Sequence, residues 1–90
     1  MMRRRIERRT DLLTSIKDMP NIAISRIIYY NSLSHSVSLQ ILGDFVDRKL
    51  VVRTRKGKRF TYRITLEGID LLKAFNNVKN RLGVNNQGVR

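Results

Sequence analysis

Cysteine is absent from the 90 residues and histidine occurs once, which excludes disulfides, thiolate metal sites, a cysteine nucleophile and a His-rich metal cluster. Apolar runs such as Leu50 to Val52 fall far short of the ~20 residues needed to cross a bilayer. No apolar stretch at the N-terminus has the form of a signal peptide, so a cytoplasmic protein without membrane attachment is expected. The pattern of a phosphate-binding glycine loop, a zinc signature or a catalytic triad is missing as well. Neither an enzyme nor a bound cofactor or metal is therefore expected. Acidic residues are the remaining scarcity, with seven Asp and Glu against nineteen Lys and Arg.

The resulting net charge of +12 is the informative quantity, because self-repulsion of this size in a small body is usually neutralised by a polyanion. Nucleic acid is the first candidate. The charge is also blocked: five arginines and one acid lie between Arg3 and Arg9, and eight basic residues and no acid between Arg48 and Arg63. With 41% hydrophobic residues there is enough apolar material for one modest core, so a single domain is expected.

Along the chain, Ile6, Leu12, Leu13 and Ile16 recur at near-helical spacing, and Pro20 ends that helix by disfavouring helical geometry at Met19. A helix from Arg3 to Met19 follows. The stretch from Ile22 to Tyr30 fits a strand by β-branched content or a short helix carrying Ile24, Ile27 and Ile28 on one side, and the helix is preferred. Ser34 or Ser36 can cap a third helix running to about Lys49, with Ile41, Leu42, Phe45 and Val46 as its core face. Gly43 in the middle of it implies that a side chain is unwanted there. The period then changes: Leu50 to Arg55 and Arg59 to Thr65 read as strands joined at Lys56-Gly57-Lys58. Phe60, Tyr62 and Ile64 alternate with Arg59, Thr61 and Arg63, one set facing the core and the other presenting cations. Thr65 caps a last helix, from Leu66 to about Leu82, with Glu67 and Asp70 near its positive end and Lys79 and Arg81 near its negative end.

This order predicts an α+β fold, the winged helix-turn-helix: three helices, a basic hairpin wing and a C-terminal helix. Residues 1–82 form the domain, with residues 66–82 as dimerisation helix and 83–90 as a frayed tail. The charge map agrees, since the second basic block falls on the wing.

Residues Ile24 to Phe75 also resemble a known group. Ser25-Arg26-Ile27-Ile28-Tyr29-Tyr30, Leu42 through Val51, and Tyr62-Arg63-Ile64-Thr65-Leu66-Glu67-Gly68 resemble archaeal winged-helix DNA-binding proteins. These include PadR-like regulators, small dimeric chromatin-associated proteins and plasmid centromere-binding proteins such as AspA. Lys49 stands where many of them have Gly before the Leu-Val strand start. The resemblance implies double-stranded DNA as partner and a C-terminal helix as the dimerisation element. On its own spacing, that helix supports a homodimer: Leu71, Phe75, Val78 and Leu82 recur like the seam of a short coiled coil, while Ile69 and Leu72 form an adjacent stripe. The alternative is that both stripes bury within one subunit.

Base readers are expected at the start of the third helix, among Ser34, His35, Ser36, Ser38, Leu39 and Gln40. Gln pairs bidentately with adenine, Ser bonds either edge, and Leu can meet a thymine methyl. Gln40 and Ser36 lead, against the plainer reading of each residue as ordinary surface or cap. Wing contacts are expected from Arg53, Arg55, Lys56, Lys58 and Arg59, and an extra arm from Arg3, Arg4 and Arg5. Tyr29 and Tyr30 read as core and turn packing rather than a stacking platform.

The leading function is a site-recognising DNA-binding homodimer that regulates transcription by occupancy. The alternative is a nucleoid-associated architectural protein that spreads along DNA in chromatin organisation or plasmid partition, where a partner protein in the partition or regulatory complex is left open. RNA binding is disfavoured because the hairpin lacks exposed aromatic pairs for single-strand stacking.

Overall fold

A computed structural model describes residues 5–83. Its elements are α1 (Arg5–Asp18), β1 (Ile22–Ala23), α2 (Ile24–Asn31), α3 (His35–Asp47), β2 (Val51–Lys56), β3 (Arg59–Ile64) and α4 (Leu66–Arg81). The sheet is antiparallel in the order β1-β3-β2.

The helical spacing of α1 places Leu12, Leu13 and Ile16 in the core, where they meet Ile22, Ile27, Ile41, Leu42, Phe45, Val51, Tyr62 and Leu72. Each such aliphatic side chain contributes roughly 1.5–3 kcal/mol when fully buried. Pro20 is followed by Asn21 with φ 61, a left-handed turn that swings the chain into β1. The segment read as either strand or helix is both in turn: Ile22 and Ala23 pair with Tyr62 and Thr61, and only from Ile24 does the helix begin. Pairing to a strand nearly 40 positions away overrides local preference here.

Ser34 is the cap of α3, its Oγ accepting from Val37 N at 3.2 Å, and Ser36 lies beyond it. The far end of α3 closes as a Schellman motif, with Lys49 N donating to Val46 O and Leu50 N to Phe45 O. Lys49 has φ 63, the left-handed conformation that favours glycine.

The joint between hairpin and α4 is built on Thr65. Its hydroxyl donates to Lys49 O at 2.7 Å and accepts from Gly68 N at 3.1 Å, while its own N–H donates to Leu50 O. One residue thus caps α4 and ties it to the start of β2. Gly68 lies buried against this tie: a Cβ there would strike Leu50 O and stand 2.6 Å from Ile64 Cγ1.

Gly43 corrects the sequence reading. A Cβ built on it meets nothing within 4 Å among the described residues, so their packing does not require the glycine. Because mid-helix Gly costs about 1 kcal/mol relative to Ala, Gly43→Ala is expected to raise the melting temperature by roughly 4–8 °C, measured by circular dichroism.

Candidate nucleic-acid interface

α2 and α3 meet through Ser32, whose φ of 53 makes the tight turn, and the start of α3 is exposed from Ser34 to Ser36. Of the six expected readers, Ser34, His35, Ser36, Leu39 and Gln40 are exposed. Ser38 is not. It is fully buried, so it cannot reach a base from this position, and its hydroxyl has no hydrogen-bond partner among the described residues. The exposed readers divide between two flanks. His35 and Leu39 border a cleft shared with Ser25, Lys58, Arg59 and Phe60, whereas Gln40 borders a depression with Arg8, Arg9 and Asp44.

The wing is a regular hairpin whose two-residue turn has Gly57 at its first position with φ 61, as a type II′ turn requires. Val51 and Tyr62 anchor its base in the core, but every residue from Val52 to Phe60 is exposed. The expected division into an apolar and a cationic face therefore holds only at the base. Directly opposed residues share a face, so Arg53 and Arg55 stand on the side of Phe60 and Tyr62, while Lys56, Arg59 and Arg63 stand on the other. Phe60 itself is 40% exposed rather than part of the core. Both faces of the tip are cationic.

The N-terminal block is less uniform than its composition. Arg3 and Arg4 lie outside the described residues, and Arg5 opens α1. Arg9 is committed to Asp44 on α3 at 2.6 Å, and Arg48 joins the same carboxylate at 3.0 Å. Hydrogen bonds from Arg9 and then Arg48 hold the Asp44 carboxyl below the usual carboxylate range. Arg9 is thus a bridge between α1 and α3. Arg8, one position earlier, borders the Gln40 flank and was not singled out from the sequence, although the block to which it belongs was.

Several solved structures share this arrangement of helices and hairpin. AF1382 from Archaeoglobus fulgidus has a TM-score of 0.74 at 18% identity, over 88% of this chain and 91% of that one. The PcaV transcriptional regulator from Streptomyces coelicolor, in complex with its natural ligand, has a TM-score of 0.78 at 18% identity, over 83% and 55%. The fold is a winged helix-turn-helix. A point variant of Staphylococcus aureus MepR bound to an oligodeoxyribonucleotide matches at a TM-score of 0.76 and 16% identity, over 84% of this chain and 59% of that one. This chain therefore spans most of the Archaeoglobus protein and a little over half the length of PcaV and MepR. No protein-family model and no curated protein matches the sequence.

In winged-helix terms α3 is the second helix of the helix-turn-helix and β2-β3 the wing. α4 leaves the domain with two unlike stripes. Leu72 is buried and Ile69 half-buried on the body, whereas Leu71, Val78 and Leu82 are exposed and Phe75 is half-buried, its ring beneath Lys79 Nζ at 5.4 Å. Tyr29 and Tyr30 depart from expectation: both are exposed on α2, 78% and 51%, and meet edge to face at 5.3 Å. The core is already closed by Ile27 on that helix, so the tyrosines fall on its outer side. Among the described residues no helix is long and apolar enough to cross a membrane, and no group of three His, Cys, Asp or Glu could hold a metal.

Proposed function

We propose that this chain is a site-recognising, double-stranded DNA-binding homodimer of the cytoplasm that regulates transcription by occupying its operator. The observation that carries this reading is the cleft in which His35 and Leu39 of the recognition helix face Lys58 and Arg59 of the wing. A helix end of major-groove dimensions and a cationic arm beside it match base edges and the adjacent phosphates. Non-enzymatic binding follows, with no cofactor invoked.

The two parts of the interface predict different losses. Arg55→Ala is expected to weaken all duplexes alike and to lower the slope of log affinity against log salt by roughly 1. Gln40→Ala is expected to relax preference at one base step by about 1–3 kcal/mol with nonspecific affinity nearly intact. Titrations of specific and random duplexes over a salt series read both; equal losses on the two duplexes would remove Gln40 as a reader.

A second reading is a nucleoid-associated coating protein, in plasmid partition or chromatin organisation, with or without a partner protein. The exposed Tyr29 and Tyr30 with neighbouring Arg26 favour it, because tyrosine and arginine together on an exposed helix face suit lateral contact between bound molecules. Footprinting over a range of protein concentrations separates the readings. A bounded footprint supports the regulator, and an extending one the coating protein.

A further inference from the structure

Phe60 is the one aromatic residue on the outer half of the hairpin, and its ring is not used by the core. The register places Arg55 directly across from it and Arg53 on the diagonal. Both guanidiniums lie against the ring, Arg53 Cζ at 5.0 Å from its centroid and Arg55 Cζ at 5.8 Å. Arg55 is held a second time, its Nε donating to Gly57 O at 2.9 Å across the turn.

Two guanidiniums gathered on one ring repel each other, and residues 48–63 contain no acid to offset them. The negative face of the ring offsets part of that repulsion. Arginine has five N–H donors, and the bond to Gly57 uses only the one on Nε, so the terminal nitrogens of Arg55 remain for a bidentate acceptor.

We infer that Phe60 is a positioning residue whose ring holds Arg53 and Arg55 as a paired receptor for phosphate oxygens at the wing tip. A long arginine loses rotamer freedom when it binds, and a side chain already laid on a ring and tied to a carbonyl loses less. Phe60 thus raises affinity without touching the ligand. For its ligand the receptor rests on the DNA-binding reading, and the phosphodiester is the group it fits; its geometry stands independently of that reading.

The test uses the full chain and the variants Phe60→Leu, which keeps apolar bulk, and Phe60→Tyr, which keeps the ring. In the free protein, side-chain NMR resonances of Arg53 and Arg55 are expected to be shifted upfield by the ring, and the shift to vanish in Phe60→Leu with circular dichroism unchanged. Affinity for duplex DNA is expected to fall about five- to tenfold in Phe60→Leu at an unaltered salt slope, and to recover in Phe60→Tyr. In a background of Arg53→Ala with Arg55→Ala, Phe60→Leu is expected to have no further effect.

Resonances without the shift overturn the receptor, as does a Phe60→Leu loss that persists undiminished without the two arginines. Inorganic tripolyphosphate as a second probe separates the readings. Phe60-dependent binding of that probe by a protein that ignores duplex DNA keeps the receptor and refutes DNA as its ligand. Equal affinity of wild type and Phe60→Leu for both probes overturns the receptor even where the wild type binds DNA.

Discussion

Replacing Phe75 and Val78 together by Asp is expected to give a folded monomer whose affinity for a two-half-site duplex falls to near that for one half-site. The two positions lie on one stripe of α4, where Val78 is 54% exposed and Phe75 is half-buried beside Leu13, Phe45 and Leu50, so the variant leaves the fully buried core side chains in place. Leu72, Gly68 and the Thr65 cap remain to anchor the helix. Pressing two copies of the altered stripe together would desolvate unpaired carboxylates, at a cost of several kcal/mol and enough to favour monomers at micromolar concentration. Without the partner, the second recognition helix no longer acts at the effective concentration that a joined module provides. Sedimentation and circular dichroism on the same sample read the outcome. A folded variant that sediments as the wild type does places the dimer contact elsewhere, and an unfolded one assigns the stripe to the core.

Gly68→Ala is the largest expected effect on stability. The added methyl has no direction to move in, because Leu50 O is backbone and Ile64 Cγ1 belongs to a strand that carries the sheet. Relief requires α4 to lift from the hairpin base, and lifting it stretches the Thr65 bonds to Lys49 and Gly68. Overpacking of this kind costs up to about 3 kcal/mol, which in a domain of this size lowers the melting temperature by roughly 12–24 °C. Thermal denaturation followed by circular dichroism tests it; a variant that melts with the wild type would show that the helix has slack at this joint. The opposite sign expected at Gly43 makes the pair a control for each other, since both are helical Gly→Ala changes and only one meets an obstacle.

Much of this was legible in one sequence because the signals were periodic or local. The apolar spacing of Leu12, Leu13 and Ile16, the serine cap before α3 and the Thr65 cap before α4 each depend on neighbours within a turn or two. Strand β1 was ambiguous for the opposite reason, its two residues being strand only because Tyr62 and Thr61 are beside them. At the site, alternation assigned Phe60 to the correct side of the hairpin but could not say that the core stops short of it. Ser38 was readable and missed. It precedes Ile41, Leu42 and Phe45 by three, four and seven positions, which puts it on the buried stripe of α3. The pairing of Arg9 with Asp44 joins residues 35 positions apart, and no local pattern distinguishes it from the neighbouring arginines.

The reach of the hairpin beyond the core divides the molecule by local stability. Val51 and Tyr62 are clamped among side chains from the helices, whereas the rungs at Arg55 and Lys56 are supported by their own ladder and one ring. Backbone amides near the tip should therefore exchange with deuterated water through opening of the arm alone, while those of Val51 and Tyr62 wait for the whole domain to unfold. The tip is thus expected to open before the rest of the hairpin, and it carries Arg53, Arg55, Lys56, Lys58 and Arg59 with no acid among them. A polyanion laid along it would slow the first class of exchange toward the second, so the arm would register an occupied site as a change in its own protection.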